Sequence, residues 1–224
     1  EGQLGPNKKR QESAHAHWIE ATAHNHFVYV ADLGLDRVLI YKFDDSTGFL
    51  SRDSGPSHYF SATLAPGTGP RHVAFSPDGK FMYVIGELDS TVTVFANQAN
   101  DTYRSIQKIS ALPAGFSGVN TAAEIAMHPS GRFLYTSNRG DNSIAEFSVD
   151  PVSGELKLLG FVPTEGKTPR NFAIDPAGTR LLVANQDSGN IVEYRIASTT
   201  GKLSPTGREV KVPSPVCLIF VAEQ

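Results

Sequence analysis

Phe27-Val28-Tyr29-Val30, Phe81-Met82-Tyr83-Val84, Phe133-Leu134-Tyr135-Thr136 and Arg180-Leu181-Leu182-Val183 are four versions of one short strand. Their third members lie 54, 52 and 47 residues apart, and nine residues beyond each comes another apolar position: Val38, Val92, Ile144 and Ile191. Three of the four follow a turn of one type, Ser76-Pro77-Asp78-Gly79, His128-Pro129-Ser130-Gly131 and Asp175-Pro176-Ala177-Gly178. A period near 50 built from short apolar strands and Gly/Pro turns is the pattern of a β-propeller blade. Equivalent positions of successive blades converge on one axis, so residues far apart in sequence can be examined as one site.

Working outward, each unit predicts an inner strand such as Arg71-His72-Val73-Ala74-Phe75, a Pro/Gly turn, the tyrosine strand, a tight polar turn, a third strand and a more variable fourth. Asp141-Asn142, Ser153-Gly154 and Ser188-Gly189 stand between apolar strands and suit hairpin turns. Residues 97–120 predict an outer strand plus an excursion, and residues 1–14 a loop leading into a strand. No amphipathic helix is evident. The fold class is therefore all-β, a propeller of four-stranded antiparallel blades. One partial domain spans 1–224, with repeats at about 15–68, 69–120, 121–167 and 168–213. Val216-Cys217-Leu218-Ile219-Phe220 follows Ser214-Pro215 as an inner strand follows Thr168-Pro169 and Gly69-Pro70, so 214–224 is expected to be a closing strand with no blade after it. Four blades and a spare strand would leave exposed edges, and the chain is expected to be a fragment of a longer propeller.

Composition narrows the function classes. With 40% hydrophobic and 19% charged residues and a net charge of −3, the 224-residue chain has no global basic field to attract nucleic acid or an anionic membrane. The single cysteine, Cys217, excludes an intrachain disulfide, reads as a buried thiol and leans towards a reducing compartment. No apolar run is long enough to cross a bilayer and no signal peptide is visible. A cytoplasmic location is the expectation.

Twelve residues before each tyrosine-strand centre stand His17, Arg71, Ala123 and Arg170, and four residues after it Leu33, Glu87, Arg139 and Gln186. Because the two strands run antiparallel, both sets reach the same mouth of the funnel, with Asn138 and Asn185 beside them. Guanidinium forks suit carboxylate or phosphate oxygens, and a Glu and a His can move protons near neutral pH. The set fits a small polyanionic substrate. Each assignment has a plainer reading: Glu87 and Arg139 could form an interblade ion pair, Lys8-Lys9-Arg10 a solvated loop, and His24, His26 and His72 surface or packing residues. His15 and His17, two apart on a strand, could join a third ligand around a metal. No carboxylate is obvious for that purpose, and no metal is expected.

Gly5-Pro6-Asn7-Lys8-Lys9-Arg10-Gln11, His15-Ala16-His17, Asp32-Leu33-Gly34-Leu35-Asp36-Arg37, Gly69-Pro70-Arg71-His72, Glu87, Ser137-Asn138-Arg139-Gly140 and Pro213-Ser214-Pro215-Val216-Cys217 together resemble the lactonase family of seven-bladed propellers. That family includes 6-phosphogluconolactonases and carboxymuconate cyclases. The resemblance implies four of seven blades plus the closing strand, a cofactor-independent enzyme, and catalytic roles for His17, Arg71, Glu87 and Arg139. Glu87 or His17 would be the general base, and Arg71 and Arg139 the oxyanion and anion contacts. Arg170, His15, Asn138, Asn185 and Gln186 are the expected substrate-binding residues. Hydrolysis of 6-phosphogluconolactone is the favoured activity. A muconate-type cyclase and a non-catalytic binding propeller are the alternatives, and a second polypeptide could supply the missing blades.

Overall fold

The computed structural model describes residues 3–21, 26–51, 61–98 and 102–221. Seventeen strands and no helix occur among them. The first sheet pairs β1 (Ala16–Ala21), β2 (Phe27–Asp32) and β3 (Arg37–Asp44), and two short strands, β4 (Phe49–Ser51) and β5 (Ser61–Thr63), share the outer edge of β3. The second holds β6 (Pro70–Phe75), β7 (Phe81–Gly86), β8 (Thr91–Gln98) and β9 (Thr102–Ser110) in sequence order. The third is β10 (Ala122–Met127), β11 (Phe133–Asn138), β12 (Ser143–Val149) and β13 (Leu156–Pro163). The fourth is β14 (Pro169–Ile174), β15 (Arg180–Asn185), β16 (Asn190–Ile196) and β17 (Leu203–Lys211). All pairings are antiparallel, as expected of propeller blades.

The core explains why the tyrosine strands carry no polar alternation. Successive strand residues point to opposite faces, and here both faces are covered. Met82 and Val84 pack against Tyr29, Val38 and Ile40 of the first blade. Tyr83 and Ile85 pack against Leu134, Ala145 and Phe147 of the third. Tyr135 and Ile144 meet Phe172, Leu181 and Tyr194 of the fourth. Each apolar cluster thus belongs to a pair of blades, which is why the repeat has no stable single unit.

A recurring lock reinforces these junctions. Tyr83 Oη donates to Gly154 O (3.0 Å), and Tyr135 Oη donates to Gly201 O (2.7 Å), each reaching a turn of the next blade. Both glycines lie at positive φ, 74° and 69°. A Cβ on Gly201 would come within 2.3 Å of the Phe133 ring. Gly201→Val combines a left-handed backbone cost of about 1–2 kcal/mol with overpacking of about 1–3 kcal/mol. A drop of roughly 2–4 kcal/mol in unfolding free energy is expected in urea titrations, and an unchanged midpoint would refute the lock.

Two expectations fail at the end of the chain. Residues 214–221 form no strand; Leu218 N–H donates to Asn171 Oδ1 (2.8 Å), but no ladder follows. An apolar run becomes a strand only when a neighbour's ladder completes it, and among the described residues no strand pairs with it. Consequently Cys217 is exposed rather than buried. His24 lies outside the described residues.

Candidate active site

The inner strands share one irregularity. Register slips between Ala16 and Trp18 in β1, Pro70 and His72 in β6, Ala122 and Ile125 in β10, and Pro169 and Asn171 in β14. The residues inside these bulges are His17, Arg71, Ala123 with Glu124, and Arg170. A bulge frees a residue from the ladder and re-aims its side chain, so each blade delivers one chemically free position to the same mouth.

Glu87, just past β7, collects three guanidiniums. Arg71 Nε donates to its Oε2 (3.0 Å), Arg139 Nη2 reaches the same oxygen (3.0 Å), and Arg10 Nη2 donates to Oε1 (2.5 Å). The Glu87 side chain is 3% exposed and Arg71 is 2% exposed. Arg71 crosses to the third blade, where Nη1 donates to Ala123 O (2.7 Å), and the methyl of Ala123 leaves it room. Arg139 also donates to Thr121 O and Ala122 O (3.3 Å each). Burial pushes the Glu87 carboxyl up, but Arg139, Arg10 and Arg71 outweigh it and hold the group below the ordinary range. Burial, then Arg139, brings Arg71 down to about 10, still a cation at neutral pH.

Arg170 is half-buried and has no carboxylate partner among the described residues. It acts on the ionisation of Arg71, Arg139 and His17, so it stands in the same field. Four guanidiniums against the carboxylates of Glu87 and Glu124 leave a surplus of positive charge at the mouth. His17 is held down to about 4 by desolvation, then by Arg71 and His72, and its ring is neutral there at pH 7. Arg10, Lys9, His15, His17 and Leu33 line a cavity of about 240 Å³.

The arrangement changes several expected roles. Both Glu87 oxygens accept from arginines, which weakens the group as a base and leaves His17 the better candidate. Arg71 is sealed from solvent, so it shapes the site without meeting a ligand directly. Asn138 and Asn185 are fully buried. Their amides donate to Ala111 O (2.7 Å) and Thr164 O (2.8 Å), tying each blade to the preceding connection. These are interblade staples and not ligand contacts. His15 reaches the cavity wall, with Nε2 3.2 Å from Glu12. Gln186 follows β15, with its N–H on Thr168 O (2.9 Å) beside the start of β14. No group of three His, Cys, Asp or Glu among the described residues could hold a metal ion.

Arg10 was not singled out by the repeat because it lies in an aperiodic loop. Asn7 Oδ1 accepts the N–H of Lys9 and Arg10 (3.2 Å each), and buried Gln11 donates to Leu33 O (2.8 Å), which pins the loop over the mouth.

Residues 1–220 match the family model "Lactonase, 7-bladed beta-propeller". The chain belongs to this lactonase family. It is 40% identical over 218 residues to the 6-phosphogluconolactonase of Bacillus subtilis, covering 97% of the chain and 60% of that relative. Among solved structures it resembles a periplasmic gluconolactonase of Pseudomonas aeruginosa (TM-score 0.89, 36% identity, 99% of this chain and 61% of that one). It also resembles a Lactobacillus plantarum protein (TM-score 0.88, 36% identity, 97% and 61%). This member of the lactonase family therefore spans about three fifths of the length of the relatives it matches. No helix among its described residues is long and apolar enough to cross a membrane.

Proposed function

We propose that the protein hydrolyses a small anionic sugar lactone, with 6-phosphogluconolactone the first substrate to test. One observation carries this: surplus guanidinium charge faces a neutral, solvent-reachable imidazole at one mouth. His17 takes a proton from a water molecule as its oxygen attacks the lactone carbonyl carbon. Negative charge then develops on the carbonyl oxygen, where Arg139 stabilises it. Collapse breaks the bond to the ring oxygen, which receives the proton back from His17. Arg10 and Arg170 hold the remote anion of the substrate. Arg71 and Glu87 act through position, fixing Arg139 and Arg10. No step calls for a cofactor.

The same forks would suit a dicarboxylate, so a muconate-type lactonising enzyme is the second reading. The mutual pairing of Glu87 with three arginines would favour a third, a non-catalytic binding propeller. The cavity beside His17, and Arg170 with no carboxylate partner among the described residues, weigh against it. Initial rates with 6-phosphogluconolactone, corrected for spontaneous hydrolysis, are the test. Competitive inhibition by 6-phosphogluconate, weakening as salt rises, is expected to exceed inhibition by a dicarboxylic muconate analogue. The reverse order would favour the cyclase, and no turnover of either substrate class would leave the binding reading.

The proposed ring requires blades beyond those described, in the same polypeptide or a second one. A native mass above 24.2 kDa distinguishes a completed particle from this chain alone. The cytoplasm is the proposed compartment, with fractionation as the check, since the Pseudomonas relative is periplasmic.

A further inference from the structure

One residue beyond the bulge position, the inner strands carry a second layer of polar groups. Glu124 is 7% exposed. Its Oε1 lies 2.7 Å from His72 Nδ1 and accepts the Ile125 N–H (3.0 Å), while Oε2 accepts from Asn171 Nδ2. Asn171 Oδ1 in turn accepts the Leu218 N–H (2.8 Å). A carboxylate can only accept, so His72 Nδ1 carries the hydrogen. The same ring meets His17, with centroids 5.2 Å apart and planes tilted by 54°. The other groups acting on His17 are Arg71 of β6, Glu87 beyond β7 and Arg170 of β14.

We propose that Glu124 and His72 are positioning residues for His17: Glu124 fixes the His72 ring in one tautomer and orientation, and that ring fixes the His17 imidazole at the mouth. The proposal rests on the lactonase reading for its catalytic meaning, although the geometry stands apart from it. Glu146 offers a useful contrast. It is also a buried interblade carboxylate, but it accepts from Lys202 Nζ (2.9 Å) and Leu203 N (2.6 Å) and touches no site residue. A merely structural Glu124 could have been built in the same way. Its choice of a histidine that abuts His17 points to a task at the mouth. The low proton affinity of His17 has burial as its first cause and Arg71 as its second, and the packed His72 ring belongs to that surround.

Long-range ¹⁵N–¹H spectra of the histidine rings test this without any substrate. In the wild type, His72 is expected as the Nδ1–H form and His17 to titrate near 4. His72→Ala should raise the His17 midpoint above about 4 but leave it below the free-imidazole range, since burial and Arg71 remain. Glu124→Ala should mix the His72 tautomers and lower kcat about tenfold with KM within about twofold, the pattern of a lost orienting group. Glu124→Gln, which keeps an acceptor for Nδ1–H, should recover most of the loss. An unmoved His17 titration in His72→Ala, or an unmoved His72 tautomer in a folded Glu124→Ala, overturns the proposal. Should the wild type lack lactonase activity while these resonances shift as described, the functional reading fails and the positioning stands. An active enzyme whose resonances stay put would sink the positioning alone.

Discussion

Glu87→Ala is expected to lower lactone turnover by at least two orders of magnitude and to reduce the unfolding free energy by about 3–5 kcal/mol, the cost of stranding a buried charge. Arg71 would keep its full charge in a sealed setting, with only the Ala123 carbonyl left to accept from it. Arg139 and Arg10 would lose the oxygens that hold them 3.0 Å and 2.5 Å from the carboxylate. Three cations that now converge would repel, and the stabilising donors would leave the position where the oxyanion forms. Loss of even one such donor typically costs about 10²–10³ in kcat. Glu87→Gln keeps the shape and one acceptor oxygen, so its losses should be smaller in both respects. Rates must be taken where the variant is folded, as judged by urea titration on the same sample. Near-wild-type turnover in a folded Glu87→Ala protein would remove the arginine cluster from the mechanism.

The second large effect is at His17. His17→Asn should cut kcat/KM by about 10²–10⁴, the range for a lost general base. The pH profile gives the sharper signature. His17 is held down to about 4, so its base form is complete from about pH 6 upward, and the wild-type rate should fall only as pH drops below about 5. The residual rate of the variant should lack that limb. Stability follows the same titration. Between pH 6.5 and 4 the unfolded chain binds the proton that folded His17 refuses, so stability declines as pH falls through that window. Glu87, whose carboxyl is depressed, adds a separate loss at lower pH, as it is forced to protonate. In His17→Asn the first decline should flatten while the second persists. An acid limb that persists unchanged in the residual rate of His17→Asn would exclude His17 as the base.

The blade period, the hairpin turns and the convergence of Arg71, Glu87 and Arg139 were all legible from residue spacing, because a repeated blade puts equal offsets at equal places. Spacing says nothing about depth, however. Asn138 and Asn185 sit one residue before the mouth position and turn inward, where a buried amide must find a carbonyl. His72, Glu124 and Asn171 stand one residue after the aligned position and escaped notice for the same reason. Arg10 belongs to no repeat at all, and only the fold brings its loop over Glu87. The run 216–220 has the composition of a strand, but composition supplies no partner edge. A hydrophobic pattern can propose a strand, whereas hydrogen bonds from a neighbour complete it.

The four bulges carry a consequence for how such a molecule can change. Because the residue at each slip is excused from the ladder, its identity is not dictated by strand pairing. His, Arg, Ala and Arg occupy that one position in four successive blades. Chemistry at the mouth can therefore be rewritten one blade at a time, like exchanging a single key in a lock barrel, while the strand ladder is left alone.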